Sequence, residues 1–520
     1  MSNSDFKKEQ KRHPGHKAGS VSSRTVQGYI DEVPIWPDGT EVSSSPMTAM
    51  QWRIWGMATA GKFFEGLVVF MTGVALPLIV AEFGLSPAQK GVVGAAVLSG
   101  ILVGASLLGG LSDRFGRKRM FIAEMIIFAV FLVGLTFSPS YICLVISLFG
   151  IGTALGCDYP TAHMVISESI PSNARGRLVL GAFGFQAVGA LFGTAVGYLI
   201  LYENPEIQAW RWMYATVIVP ALLVIAGRFF ITDSGQWLVS RGKIEEAEKE
   251  TLRLLRRLPA YPTEIKLVDP DAIDSSSPST KVKQGYKDLF KGENRRATIL
   301  ASLPWFLQDL GTYGIGIFTP TILATVIGAK TLHPHNLASL IHNDMLAARG
   351  AAFIDVLLIV GIIFAVLLTD KIGRIHLQVF GFIGCALGLI LAALSSYFEG
   401  PAQILFIFAG FMLFNFMTNV GPNSQTYLLS GEVFPTKIRG KGAGFAASFA
   451  KLGAVMTAFL FPILLKDIGT TTLLYILVVT SLTGALLTWL FRIETKGVSL
   501  EKIGRIPVPH GAGTLNNNKR

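Results

Sequence analysis

Three polar or aromatic residues recur at four-residue spacing in one apolar stretch: Trp305, Asp309 and Tyr313. At 3.6 residues per turn, this spacing places them on one face of a helix. A carboxylate in such a stretch is costly unless it faces a wet cavity or a partner. A structural ion pair for Asp309, and packing for the two aromatic side chains, are the alternative interpretations.

Lys451 stands in a second apolar stretch, among the small residues of 446–454, ten positions after Lys441. Ten residues of helix reach about 15 Å, close to the middle of a bilayer. That depth argues against a side chain that merely extends to the membrane surface. A cation so placed predicts either an ion pair with Asp309 or a site for an anionic solute.

These residues suggest a coupling mechanism. A cationic Lys451 attracts an anionic solute, whereas an ionised Asp309 nearby repels it, so solute binding and protonation of Asp309 favour each other. Proton and solute would then load and cross together. Glu65 and Asp158 are alternative proton carriers, and the sequence does not rank the three.

The elements that must position these residues are membrane helices. Hydrophobic residues make up 51% of the 520 residues and charged residues only 15%, whereas soluble proteins carry about 25% charged residues. Stretches long enough to cross a bilayer are predicted near 54–80, 90–111, 120–137, 141–165, 178–201, 212–231, 298–327, 351–369, 377–397, 403–429, 442–465 and 471–491.

The chain divides into two similar halves. Leu111-Ser-Asp-Arg-Phe-Gly-Arg117 recurs as Leu368-Thr-Asp-Lys-Ile-Gly-Arg374, in a matching loop. The fold predicted is therefore an all-α polytopic membrane protein with twelve transmembrane helices in two pseudo-symmetric six-helix bundles. The predicted domains are a disordered cytosolic tail (1–50), an N-terminal bundle (51–231), a cytosolic central loop (232–296), a C-terminal bundle (297–493) and a cytosolic C-terminal tail (494–520).

The distribution of basic residues predicts the orientation. The net charge of +11 is carried mainly by short loops on one side of the predicted spans and by the tails. Basic loops stay in the cytosol, so both termini are expected there, in the cell (inner or plasma) membrane. This pattern also argues against nucleic-acid binding. The three cysteines, in apolar stretches, predict no disulfide framework.

The loop Gly109-Gly-Leu-Ser-Asp-Arg-Phe-Gly-Arg-Lys-Arg119 resembles the signature of the major facilitator superfamily. Asp233-Ser-Gly-Gln-Trp-Leu238 and Glu494-Thr-Lys-Gly497 resemble motifs of its sugar and metabolite porters. The resemblance implies a latch that favours one conformation, which in this sequence would be formed by Gly110, Asp113, Gly116, Arg117, Asp370 and Arg374. Asp113 and Arg117 can pair with each other or with a neighbouring helix end.

A narrower resemblance is to the phosphate:proton symporters. It is carried by Gly156-Cys-Asp-Tyr-Pro160, by Trp305-Phe-Leu-Gln-Asp-Leu-Gly-Thr-Tyr-Gly314 and by Lys451, whereas Val68 stands where those symporters carry a second acid. The resemblance implies a substrate site lined by Asp158, Tyr159, Gln186, Trp305, Asp309, Tyr313 and Lys451.

The leading prediction is a secondary transporter that carries a small anion, inorganic phosphate or an organic acid, together with protons by alternating access. One alternative is a sugar or polyol porter, for which Gln308, Asn415, Asn419, Asn423 and Gln425 could supply amides. Another is a nutrient sensor with a transporter fold. No nucleophile–base pair, metal cluster or phosphate-binding loop stands out, so we expect no enzyme activity, metal or cofactor, and a monomer whose partners are solute, protons and lipid.

Overall fold

Long apolar helices make up the computed structural model, which describes residues 25–32, 46–108, 111–256, 264–267, 286–328, 337–435 and 438–496. In the first half the membrane helices are α1 (Ala49–Phe83), α2 (Pro87–Val103, continued by a π-helical turn Gly104–Leu108), α3 (Arg117–Thr136), α4 (Tyr141–Ser169), α5 (Ser172–Glu203) and α6 (Ala209–Phe229). In the second half they are α7 (Gly292–Gly328), α8 (Leu337–Ile372), α9 (Arg374–Leu394), α10 (Pro401–Val420, followed by Pro422–Glu432) and the segment Arg439–Leu490.

The segment Arg439–Leu490 is two helices, because Gly469 has φ +77° and ψ 168°, which no helix contains. We call them α11 (439–468) and α12 (470–490). Ten described segments are long and apolar enough to span a membrane, and this broken one is among them. Counting it as two and adding α7 gives the twelve-helix architecture that the sequence predicts.

Local sequence signals explain where the first helices begin and end. Thr48 caps α1 in a reciprocal capping box with Gln51, and Gly84 ends it in the left-handed conformation at φ +62°. Ser86 then caps α2, with Pro87 in its first turn. These caps form hydrogen bonds with backbone groups that lipid cannot satisfy. One helix can therefore end and the chain reverse direction within a few residues.

Two predicted spans differ from the structure. α8 begins at Leu337, well before the predicted start at 351. The stretch 337–350 is more polar, so the apolar pattern did not mark it, but it forms the first part of the same helix. The span predicted at 403–429 breaks at Gly421-Pro422, where the proline cannot continue the hydrogen-bond ladder.

The predicted disordered tail over 1–50 needs a correction. Residues Val26–Asp31 form a helix capped by Thr25, and Val26, Tyr29 and Ile30 are buried. Their spacing makes an apolar stripe, which packs in one cluster with the buried side of the central helix Ile244–Leu255. The structure does not describe residues 1–24 and 33–45, most of the stretch 257–285, or residues 497–520.

Glycines allow helices within each bundle to approach closely. Gly66 of α1 and Gly189 of α5 each lie against the backbone of the other helix. Gly388 of α9 and Gly410 of α10 do the same in the second bundle. Such small-residue contacts replace the hydrophobic driving force that is missing in lipid.

The two bundles also touch each other at both ends. At the end that carries Arg117 and Arg374, which we call the latch side, Ser106 of α2 donates to or accepts from Ser448 of α11 at 2.8 Å. Toward the opposite side, Gly91 of α2 packs on the backbone of Phe459 of α11. The region between them is where a solute site would lie.

Candidate functional site at the bundle interface

Lys451 forms the centre of a buried polar cluster. Its side chain on α11 is 4% exposed, and its Nζ lies 3.3 Å from Oδ2 of Asp309. Nζ also donates to the Tyr313 hydroxyl at 2.6 Å. The four-residue spacing on α7 thus brings the carboxylate and the phenol to one lysine.

The N-terminal bundle completes the cluster. Tyr313 donates from its hydroxyl to Oε1 of Glu65 on α1 at 2.9 Å, and Gln186 on α5 donates to the same hydroxyl at 3.0 Å. Lys451 Nζ lies 3.6 Å from Glu65 Oε1. We call Glu65, Gln186, Asp309, Tyr313 and Lys451 the interface cluster, since its bonds join the two bundles.

Lys62 extends the cluster and was missed by sequence reasoning. Its Nζ lies 2.7 Å from Glu65 Oε2 and 3.0 Å from the centre of the Tyr159 ring. The signal was a lysine one helical turn before Glu65 in an apolar stretch. Two lysines therefore face two carboxylates, Glu65 and Asp309, so the charges balance when all four are ionised.

Asp158 is engaged by a partner that the sequence did not suggest. Its Oδ1 lies 2.7 Å from Nη1 of Arg228 on α6, and both side chains are buried. Arg228 also donates to the backbone carbonyls of Phe121 and Met57. The sequence feature that could have pointed to Arg228 is its position, as a charged residue, inside the predicted span 212–231. The structure thus pairs Asp158, one of the candidate proton carriers, with a buried arginine.

Glu124 on α3 is a further buried carboxyl, 1% exposed, that sequence reasoning missed. Thr161 on α4 donates to its Oε1 at 2.8 Å. Among the described side chains, no hydrogen-bond partner reaches its Oε2. It lies within the N-terminal bundle rather than in the interface cluster.

A narrow cavity adjoins the cluster. It is lined by Lys62, Glu65, Asp158, Tyr159 and Tyr427, among others, and its volume of about 20 Å³ is enough for a single water molecule. Trp305 does not line it but meets the Tyr427 ring edge-on at 6.2 Å. A solute larger than water needs more room than this cavity offers.

The latch residues of the first half pair with a neighbouring helix end. Arg117 Nη2 lies 3.1 Å from Oε1 of Glu168 at the end of α4. Ser234, after α6, donates to the same carboxylate. Gly116 turns the chain at φ +105°. The structure describes neither Gly110 nor the side chain of Asp113.

The second half repeats the arrangement. Arg374 lies 3.2 Å from Glu432 and 3.0 Å from Asp370, and Gly373 has φ +103°. Glu494 accepts from the backbone N–H of Arg374, much as Asp233 accepts from that of Lys118. For the described latch residues, each ion pair closes within one bundle and none crosses the interface.

The arrangement can bind hydrogen-bonding solutes and exchange protons. No group of three His, Cys, Asp or Glu side chains in the described ranges could hold a metal ion. The functional groups between the two bundles are those of lysines, carboxyls, a phenol and an amide.

Comparison with known proteins agrees with this architecture. The inner membrane metabolite transport protein YgcS of Escherichia coli (strain K12) is 28% identical over 472 residues, covering 89% of this chain and 95% of that protein. The glucose transporter GlcP of Staphylococcus epidermidis is 26% identical over 461 residues, covering 88% and 97%. The structure of the xylose transporter XylE from E. coli in a partially occluded inward-open conformation superposes with a TM-score of 0.70 at 21% identity, covering 87% and 100%.

The superposition shows that this chain has the fold of XylE, a major facilitator superfamily protein. The resemblance to phosphate:proton symporters finds no support in these matches. The sequence model of the family described as "Sugar (and other) transporter" matches residues 54–506. This chain therefore belongs to the sugar (and other) transporter family.

Proposed function

We propose that this protein is a proton-coupled symporter of a small neutral polyhydroxy metabolite, a sugar or polyol, and that it works by alternating access. The observation that carries the proposal is the balanced interface cluster. Lys451 is held by Asp309 at 3.3 Å and faces Glu65 at 3.6 Å. A neutral solute can bind beside such a cluster without an uncompensated charge.

Amides on the C-terminal bundle supply further hydrogen-bonding groups. Gln308 on α7 donates to Asn423 at 3.2 Å, and Asn423 donates to Asn419 at 2.6 Å. Among the described groups, none donates to Gln308 Oε1. Hydroxyl groups of a solute can both donate to and accept from such a chain, which suits a sugar or polyol.

The leading prediction from sequence, a small anion such as phosphate, is less well supported. It rested in part on Lys451 as a site for an anionic solute. Lys451 instead lies within ion-pair distance of Asp309, which gives a reason for its burial without an anionic solute. The similarity to a glucose transporter, over nearly the whole length of both proteins, favours the sugar interpretation as well.

Asp309 is the carboxyl best placed to carry the coupled proton. It has one lysine within ion-pair distance, whereas Glu65 has two and also accepts from Tyr313. Protonation of Asp309 therefore breaks the fewest favourable contacts. It would release Lys451 from one of its two carboxylates, and Lys451 itself donates to the Tyr313 hydroxyl that joins the bundles.

A second candidate substrate is a small organic anion. Lys62 lines the cavity and Lys451 lies in the adjoining cluster. Once Asp309 is protonated, these two lysines face the single remaining charge of Glu65. The net positive charge would then attract an anion, which couples its entry to the proton.

The proposed arrangement is complete within one chain, which is consistent with a functional monomer. It also accords with the expected location in the cell membrane, with the latch side in the cytosol.

The test is uptake into proteoliposomes of a radiolabelled hexose, pentose, polyol, monocarboxylate and inorganic phosphate, each with and without an inward proton gradient. We expect one of the neutral solutes to accumulate and the gradient to raise its uptake. The variant Lys466→Met should take up the same solute as the wild type, because this exposed lysine on α11 lies outside the cluster. Gradient-driven uptake of only the monocarboxylate or of phosphate would contradict the neutral-solute proposal and retain the transporter.

A further inference from the structure

A further buried carboxyl lies at the bundle interface, away from the interface cluster. Asp355 is near the centre of α8, 18 residues after Leu337 and 17 before Ile372. At 1.5 Å per residue it is about 26 Å from either helix end. Its side chain is 3% exposed.

In the described part of the chain, the groups that hydrogen-bond to this carboxyl are neutral. Thr194 on α5 donates to its Oδ2 at 3.1 Å, and Asn415 on α10 donates to its Oδ1 at 3.3 Å. No described lysine, arginine or histidine forms an ion pair with it. An ionised carboxylate at this depth, without a cation, is costly.

The helices beside Asp355 pack closely. Gly193, next to Thr194, lies against the backbone of Leu67 and Met71 on α1. Other titratable side chains lie on α8 and on the helices packed against it, and no hydrogen bond or ion pair joins a described one of them to Asp355. They include Lys62, Glu65, Tyr198, Asp309, Tyr313, His342, Asp344, Arg349, Cys385 and Tyr427.

The hydroxyl of Thr194 suits both protonation states of Asp355. Its Oγ1 lies 3.1 Å from the carboxylate, but also 3.2 Å from the carbonyl of Ala190 and 3.1 Å from that of Leu191. One hydroxyl hydrogen can serve only one acceptor well. When Asp355 binds a proton, its own O–H can donate to Thr194, whose hydrogen then turns to a backbone carbonyl.

We propose that Asp355 is a proton-binding site separate from the interface cluster and that its protonation holds α5 against α8. The bond to Thr194 joins the N-terminal bundle to the C-terminal bundle. The neutral acid is stable in the closed, dry contact. The ionised form gains hydration when the bundles separate and water enters, so loss of the proton favours separation. This inference is independent of the identity of the solute.

Infrared difference spectroscopy of the full-length protein in liposomes tests the protonation directly. Spectra are taken between mildly acidic and mildly alkaline pH. We expect a carboxylic-acid carbonyl band that titrates in the wild type and is lost in Asp355→Asn. The band should remain in Asp467→Asn, which makes the same chemical change at an exposed position, and in Asp309→Asn. Thr194→Val should retain the band with a shifted titration midpoint.

Spin-label distances test the link to bundle movement. Labels at Arg119 and Lys371 report on the latch side, and labels at Glu203 and Lys466 on the opposite side, in a variant without the three native cysteines. We expect alkaline pH to lengthen one of these distances in the wild type and in Asp467→Asn, but not in Asp355→Asn. An unchanged infrared spectrum in Asp355→Asn, or pH-dependent distances identical to those of the wild type, would overturn the proposal. Neither outcome depends on transport of the proposed solute.

Discussion

At the scale of single residues, the interface cluster joins charges that lie far apart in the sequence. Glu65 and Lys451 are brought within 3.6 Å of each other by helices from opposite bundles. Neither charge is stable alone in an apolar interior, so each depends on the other and on the fold. The energetic importance of the cluster can be tested separately from transport.

Lys451→Met should destabilise the protein. It leaves Asp309 and Glu65 with less compensation, and breaking a buried pair costs about 3–5 kcal/mol. The measurement is chemical or thermal unfolding in detergent. Lys466→Met, exposed on the same helix, should unfold like the wild type.

The double variant Lys451→Met/Asp309→Asn should recover part of the lost stability, because it removes the uncompensated carboxylate with the lysine. A double variant no more stable than Lys451→Met would show that Asp309 and Lys451 are not energetically coupled.

Sequence reasoning named all five residues of the interface cluster as candidates but missed neighbouring ion-pair partners. The spacing of Asp309 and Tyr313 and the depth of Lys451 are local features, and a helix translates them directly into positions. Lys62 and Arg228 were overlooked, although each is a charge in an apolar stretch. The partner that a buried charge finds is set by helix packing between distant segments, which no local pattern encodes.

At the scale of elements, the two turns before α3 and α9 show how the repeat is built. Gly116 has φ +105° and Gly373 has φ +103°, in matching positions of the two halves. Each turn brings an arginine to a glutamate at the end of the next helix, α4 or α10. Asp233, after α6, and Glu494, after α12, then accept from backbone N–H groups in the first turns of α3 and α9.

Gly116→Ala should destabilise the N-terminal bundle by at least about 1–2 kcal/mol, because an alanine Cβ is strained at positive φ. The added Cβ would also lie 3.1 Å from the Trp237 ring. The melting temperature of the purified protein measures the effect.

The matched control is Gly176→Ala on α5, where nothing lies within 4 Å of an added Cβ and the backbone is helical. We expect this change to be neutral or stabilising, since alanine favours a helix over glycine. Equal melting temperatures for the two variants would contradict the assigned role of the Gly116 turn.

Most membrane helices were predictable from hydropathy, because lipid forces long apolar segments into helices. The differences arose where apolar content does not decide the structure. The polar start of α8, the break at Gly421-Pro422 and the packed helix Val26–Asp31 depend on tertiary contacts or on backbone conformation.

At the scale of the whole molecule, the asymmetry of basic loops predicts that the latch side faces the cytosol. Single cysteines in a background without native cysteines test this. Intact cells treated with a membrane-impermeant maleimide should label Glu203→Cys. Arg119→Cys should react only after permeabilisation. The reverse pattern would place the latch side outside.

The bundles touch near both membrane surfaces, and the cavity at the cluster holds about 20 Å³. The structure therefore represents a state in which the two bundles are closed against each other. One side must open before a metabolite can enter. Alternating access then requires that the cross-bundle bonds through Tyr313 break and re-form in each cycle. Protonation of Asp309 is the event that we expect to control them.

The most direct test of this account is proton movement driven by solute. Proteoliposomes without a pH gradient receive the neutral solute identified in the uptake panel, and the internal pH is followed with a trapped dye. We predict that inward solute movement acidifies the lumen in the wild type. In Asp309→Asn we predict that solute still equilibrates but the lumen pH stays constant. Solute entry without acidification in the wild type, or unchanged acidification in Asp309→Asn, would contradict the role of the interface cluster in proton coupling.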